Sequence, residues 1–222
     1  MSDPASLSGP AVSGTPLDER GETLIDTRTV AALRVDPRMS GRNESFALLR
    51  ATVVDRLVVA QSLLPRGIRL LIVEGLRTAE AQSAHLQEYR DDLRRGHPDW
   101  SAEQIEAELA WYCAPPDTAP HVTGAAVDLT LCTTGGVELP LGCPVHAGPT
   151  ASAGTCATDS PLVTGREREL RDILSRALTE AGMVNLPTAW WHWSYGDRYW
   201  CYRTGARFAP YGPITPTNPR QI

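Results

Sequence analysis

Two compact apolar runs, Ile68 to Val73 and Ala125 to Leu131, constrain this chain more than any other feature. Both have strand length and are too short for a core helix; the first is nearly continuous in apolar residues and the second alternates. The stretch between them reads as helix. Thr78 can cap a segment carrying Ala81, Leu86 and Leu93 that runs to about Arg95, and His97-Pro98 breaks it. Ser101 with Gln104 then forms a capping box for a shorter helix through Trp111. An amphipathic helix is expected from Ser45, with Leu48, Leu49, Val53, Leu57, Val58 and Leu64 on one face, stopped by Pro65 and Gly67. Residues 133 to 160 are rich in Gly, Pro, Thr and Ala and predict an irregular loop, followed by a helix over Glu167 to Glu180 that Gly182 closes. Trp190 to Ser194 and Tyr199 to Tyr202 read as aromatic strands. No repeat and no regular βαβ alternation accompany this order, so the expected fold class is α+β: a single domain whose mostly antiparallel central sheet is flanked by helices.

A length of 222 residues is enough to bury a continuous core, and 42% apolar with 21% charged residues is the balance of a globular protein. A formal net charge of -5 offers no basic footprint for nucleic acid or an anionic membrane surface. No run has the roughly 18–20 apolar residues of a membrane span. Met1 to Thr15 is small and polar, without a basic head or apolar run, so residues 1–20 are expected to be a disordered leader and 21–222 the folded domain. Cys113, Cys132, Cys143, Cys156 and Cys201 are odd in number and widely spaced; reduced, mostly buried thiols in a cytoplasmic protein are expected, with Cys143 and Cys156 the pair to watch. Nothing in the sequence bears on oligomeric state.

Chemistry concentrates in the histidines. His85 lies in a polar helix and His97 at a helix end, which suits solvated or capping roles. His121 follows a proline loop and enters the second strand, which also carries Asp128. Seven positions would put the two on opposite faces of a straight strand, and Gly124 between them offers a bend. His192 lies within Trp190-Trp191-His192-Trp193, an aromatic setting that fixes an imidazole. A His, Asp, His set suits zinc and leaves a fourth position open. The same residues also fit hydrogen-bonded core histidines, and spacing alone does not choose between these readings.

The order of three segments chooses. The chain contains Glu74-Gly75-Leu76-Arg77-Thr78 with Gln82, then Ala119-Pro120-His121 through Gly124, Ala126 and Asp128, then Ala189-Trp190-Trp191-His192-Trp193-Ser194-Tyr195-Gly196-Asp197. From about Leu33 to Pro213 it resembles the D-alanyl-D-alanine dipeptidases, zinc peptidases of the vancomycin-resistance type, whose segments read Gly-Tyr-Arg-Pro, Ser-x-His-x-x-Gly-x-Ala-x-Asp and Glu-Trp-Trp-His. The resemblance implies a D,D-peptidase and hedgehog-like fold with the zinc site on the sheet. It implies one zinc ion on His121, Asp128 and His192, with Arg77 as oxyanion stabiliser and a small D-amino-acid dipeptide of cell-wall turnover as ligand. It also exposes departures. Ala189 stands where the family has its general base, a Glu, and a methyl group moves no proton. Leu76 and Leu186 replace aromatic residues. His146 occupies the position of an Asp thought to meet the substrate amine, and with Ala119 it is the expected substrate-binding position. Three readings remain open: a substitution introduced at 189 in a working dipeptidase, a zinc-binding homologue that is silent or repurposed for a related ligand, and an enzyme whose base is His146, Glu74 or Asp197.

Overall fold

The protein is described by a computed structural model that covers residues 7, 9–148 and 152–214. In chain order its elements are α1 (Pro10–Ser13), β1 (Leu24–Asp26), β2 (Arg34–Val35), β3 (Leu48–Arg50), α2 (Ala51–Leu63), β4 (Ile68–Glu74), α3 (Ala79–Gly96), α4 (Ala102–Tyr112), β5 (Ala126–Thr133), α5 (Gly165–Glu180), β6 (Val184–Leu186), β7 (Ala189–Ser194) and α6 (Arg198–Thr204). Five strands form the main sheet in the order β2-β4-β5-β7-β6, and β1 pairs with β3 in a separate ribbon. Within the main sheet the β2–β4 pairing is parallel, and β4–β5, β5–β7 and β6–β7 are antiparallel. This is the expected α+β architecture: one mostly antiparallel sheet with helices against it.

The two apolar runs are the middle of that sheet. Leu70 pairs with Leu131 and Ile72 with Leu129, and all four are fully buried. Val53, Leu57 and Ala60 of α2 join the same core as Leu170, Leu174, Ala177 and Leu178 of α5. Burial of this kind is worth roughly 1.5–3 kcal/mol per large side chain, so a continuous cluster of that size holds the sheet without covalent staples. The five cysteines are free, Cys143 and Cys156 included.

Local signals placed most helix ends. Thr78 accepts a hydrogen bond from the Ala81 amide, and Ser101 and Gln104 form the reciprocal capping box. Two expectations fail. The segment expected to be helical from Ser45 is strand at Leu48–Arg50, because Leu24–Asp26 offers it an antiparallel partner, and helix begins only at Ala51. The second aromatic strand is instead helix α6: the Asp197 side chain caps its start at the Trp200 amide, and Gly205 closes it with φ 70°. Aromatic content favoured strand, but the cap and the terminating glycine decide the backbone. The stretch expected to be a leader packs on the domain from residue 9 onward, with Val12 fully buried and Leu17 bridged to Ala209; residues 1–6 and 8 lie outside the described residues.

Candidate metal centre and cleft

Sheet register builds the centre. Glu74 of β4 is the partner of Asp128 of β5, and Asp128 is the partner of His192 of β7. Directly paired residues project from the same face, so three neighbouring strands present Glu74, Asp128 and His192 as one row. His121 reaches this row from a 3-10 turn, Pro120–Thr123, rather than from the strand in which it was expected. The reversal is made at Gly124, whose φ of 66° is left-handed and whose added Cβ would lie 2.9 Å from Leu24 Cδ2. A substituted residue there meets both backbone strain and a collision.

Three distances define the cluster. His192 Nδ1 lies 2.8 Å from Asp128 Oδ1, and His121 Nε2 lies 3.2 Å from Asp128 Oδ2 and 3.1 Å from His192 Nδ1. The other nitrogen of His121, Nδ1, donates to the Gly75 carbonyl at 2.7 Å, which leaves Nε2 to face the cluster. Gly75 is itself pressed against the neighbouring strand: a Cβ there would sit 2.6 Å from the Leu48 carbonyl oxygen. All three side chains are buried, and each offers a ligand atom within 4.8 Å of the others. Nε2 of His192 is buried with no hydrogen-bond partner, so that ring is engaged only through Nδ1. Two imidazole nitrogens and a carboxylate oxygen converging where all three side chains are buried make a donor set that suits a zinc-like cation.

Electrostatics agree. Burial pushes the Asp128 carboxyl up, but the adjacent His121, with hydrogen bonds from His121, His146 and His192, holds it well below the usual carboxylate range. Burial presses His121 toward the neutral form, and Asp128 overrides that and raises it. For His192 burial prevails and the value is lowered.

Arg77 and Glu74 stand beside the cluster as a buried pair. Arg77 Nε donates to Glu74 Oε1 at 2.9 Å and Nη2 to Oε2 at 2.5 Å, while Nη1 reaches Gln82 Oε1 at 2.8 Å. Asn43 Nδ2 adds a third donor to Glu74 Oε1 at 3.0 Å. Glu74, Asp128 and His146 also lie close enough to group as metal donors, but both Glu74 oxygens are already taken by Arg77. Asp197 is committed elsewhere: its Oδ1 caps α6 at 2.7 Å from the Trp200 amide, and it is absent from the residues that line the cleft.

The cleft has a volume of about 660 Å³, within the roughly 300–1,000 Å³ of ligand pockets. His121, Asp128, His192 and Arg77 open into it, together with Ala119, His146, Leu186 and Ala189. Ala189, three residues before His192, thus presents its methyl group to the same space as the metal-type donors. His85 was read as a solvated helix residue, yet it lines this cleft with Glu88 and Asp92 from one face of α3. Burial, with Arg77 close by, lowers its value to about 4. The i, i+3 and i+7 spacing of these three residues was the available signal, hidden because a polar helix face resembles a solvated one.

Over 95 residues the chain is 28% identical to a D-alanyl-D-alanine dipeptidase from Synechocystis, a match that covers 40% of this chain and 38% of that protein. The resemblance to the dipeptidases holds. No family model matches the chain. Among solved structures, a zinc-bound variant of the vancomycin-resistance D,D-pentapeptidase VanY from a VanB-type cassette aligns over 86% of this chain and 89% of that one, at 18% identity and a TM-score of 0.43. At that distance the likeness says nothing of chemistry.

Proposed function

We propose that the protein is a zinc-dependent relative of the D-alanyl-D-alanine dipeptidases whose cleft takes a cell-wall dipeptide, and whose hydrolytic rate is impaired by Ala189. The observation that carries this reading is the convergence of His121, Asp128 and His192 at the floor of a cleft that also holds Arg77 and the Ala189 methyl group. One zinc ion would be held by His121 Nε2, an Asp128 oxygen and His192 Nδ1. Bound there, zinc would acidify a coordinated water and polarise the scissile carbonyl.

The residues of the chain divide the remaining work. Arg77 spends three of its five N–H donors on Glu74 and Gln82, so two remain for negative charge developing on a substrate oxygen. Glu74 fixes the guanidinium plane. Ala119 and His146 line the cleft as substrate-facing positions. No group at 189 can accept the proton of an attacking water. Of the candidate replacements, Glu74 is occupied by Arg77, and Asp197 caps α6 through Oδ1 and does not line the cleft. Five free thiols suit a cytoplasmic setting, and among the described residues no helix is long and apolar enough to cross a membrane.

The same methyl group favours a second reading, a zinc-binding homologue that is catalytically silent or repurposed for a related ligand. Metal analysis and a dipeptide assay separate the two. Purified protein should carry about one zinc per chain and cleave D-Ala-D-Ala very slowly, and Ala189→Glu should raise the rate by roughly 10²–10⁴-fold, the range of a positioned general base. Strong cleavage by the unmodified chain would refute the impairment. A zinc-loaded Ala189→Glu protein that stays silent would select the second reading.

A further inference from the structure

His146 stands apart from the three metal-type donors yet touches one of them. Its Nε2 lies 2.8 Å from Asp128 Oδ2 and 3.6 Å from Glu74 Oε2, between the carboxylates of two paired strands. Glu74 is saturated by Arg77 and Asn43, so Asp128 is the acceptor available to this nitrogen. A carboxylate surrounded by three imidazoles only accepts, and Nε2 therefore donates. We infer that His146 is a positioning residue for Asp128, fixing the carboxylate so that it presents a constant oxygen to the cation beside His121 and His192.

This inference rests on the zinc reading and adds a member to the site. Three observations carry it. First, the grouping of donors places His146 with Glu74 and Asp128, not with His121, Asp128 and His192, so it reaches the cation through Asp128. Second, His146 is held at φ 67°, a left-handed conformation that side chains with a Cβ rarely adopt. Such strain persists where the surroundings over-determine it. Here the surroundings are the bond to Asp128, the Trp191 ring packed edge-on with 6.4 Å between ring centroids, and a loop tied to α5 through the Leu141 carbonyl and Arg171. Third, Asp128 has two oxygens facing two other imidazoles, and an unrestrained carboxylate in that setting could turn either oxygen to either ring. A donor on Oδ2 removes that freedom.

Partners of this kind typically contribute 10–100-fold to metal affinity. The test is the zinc dissociation constant, measured by competition with a chromophoric chelator, and the absorption spectrum of the cobalt(II)-substituted protein. His146→Gly is the deletion of choice, since glycine accepts the left-handed backbone and keeps the loop folded. His146→Gln restores an N–H donor on a longer side chain. His146→Gly should bind zinc roughly 10–100-fold more weakly. His146→Gln should recover most of that loss, with cobalt bands like those of the parent because the ligand atoms are unchanged. Parent-like affinity in a folded His146→Gly protein would overturn the positioning role while leaving the zinc site intact. Failure of His146→Gln to rescue, with cobalt bands showing a lost nitrogen ligand, would overturn it in favour of direct ligation. A parent chain that binds no zinc would remove the reading beneath it as well.

Discussion

Glu74 is 1% exposed at its side chain and sits one strand away from Asp128, so two carboxylates share one buried row. Burial opposes its ionisation, and hydrogen bonds from Arg77 reverse that and take it from the ordinary 4.5 down to about 2. A depressed folded value means stability that is present above pH 4.5 and drains away as pH falls through about 2. Glu74→Gln leaves Arg77 buried without its counter-charge, a loss of about 3–5 kcal/mol at neutral pH. Urea midpoints from pH 7 downward should show the gap between parent and variant closing as the carboxyl protonates; a gap that stays constant would place the energy in shape rather than charge. The pair also shows what could be read at this scale. The sequence put Glu74 and Arg77 three apart, and it named His121, Asp128 and His192. It could not give the register, and only the register puts Glu74, Asp128 and His192 in one line. His85 stayed hidden because nothing local says which side of a polar helix faces a cleft.

At the scale of elements, the irregular stretch between β5 and α5 is organised from below by Arg171. This α5 residue is 1% exposed and donates to the carbonyls of Leu141 at 2.7 Å, Ala157 at 2.7 Å and Thr155 at 2.6 Å, with its guanidinium 5.3 Å from the centre of the Trp190 ring. One side chain thus satisfies backbone acceptors that a buried loop would otherwise strand. Arg171→Met keeps much of the volume and removes all three donors, so it should cost on the order of 3 kcal/mol or more. Thermal unfolding should fall accordingly, and an unchanged midpoint would mean the loop holds itself. The composition of this stretch announced a loop without announcing its anchor, since an Arg in an amphipathic helix reads as surface. The same limit explains α6 and β3. The aromatic run Tyr199–Tyr202 became helix because Asp197 and Gly205 cap it, and Leu48–Arg50 became strand because a distant segment was free to pair. Caps are local and were legible where they were sought; pairing partners are not local.

For the whole molecule, the three metal-type donors come from a turn, a central strand and its neighbour, which converge only in the folded chain. An ion that binds this arrangement and not the unfolded chain adds stability by mass action, about 4.1 kcal/mol when free zinc exceeds its dissociation constant a thousandfold. For a domain of this size each kcal/mol moves the midpoint by roughly 2–4 °C, so zinc-loaded protein should melt about 8–16 °C above the same protein in excess chelator. One continuous core joins α2, the sheet and α5, so the shift should appear in a single transition. His192→Ala removes one donor and should erase the chelator sensitivity while leaving a cooperative transition. A parent chain whose midpoint ignores chelator would mean that the row of Asp128 and His192 is held by hydrogen bonds alone, and that the convergence of His121 upon it stabilises the fold without a cation.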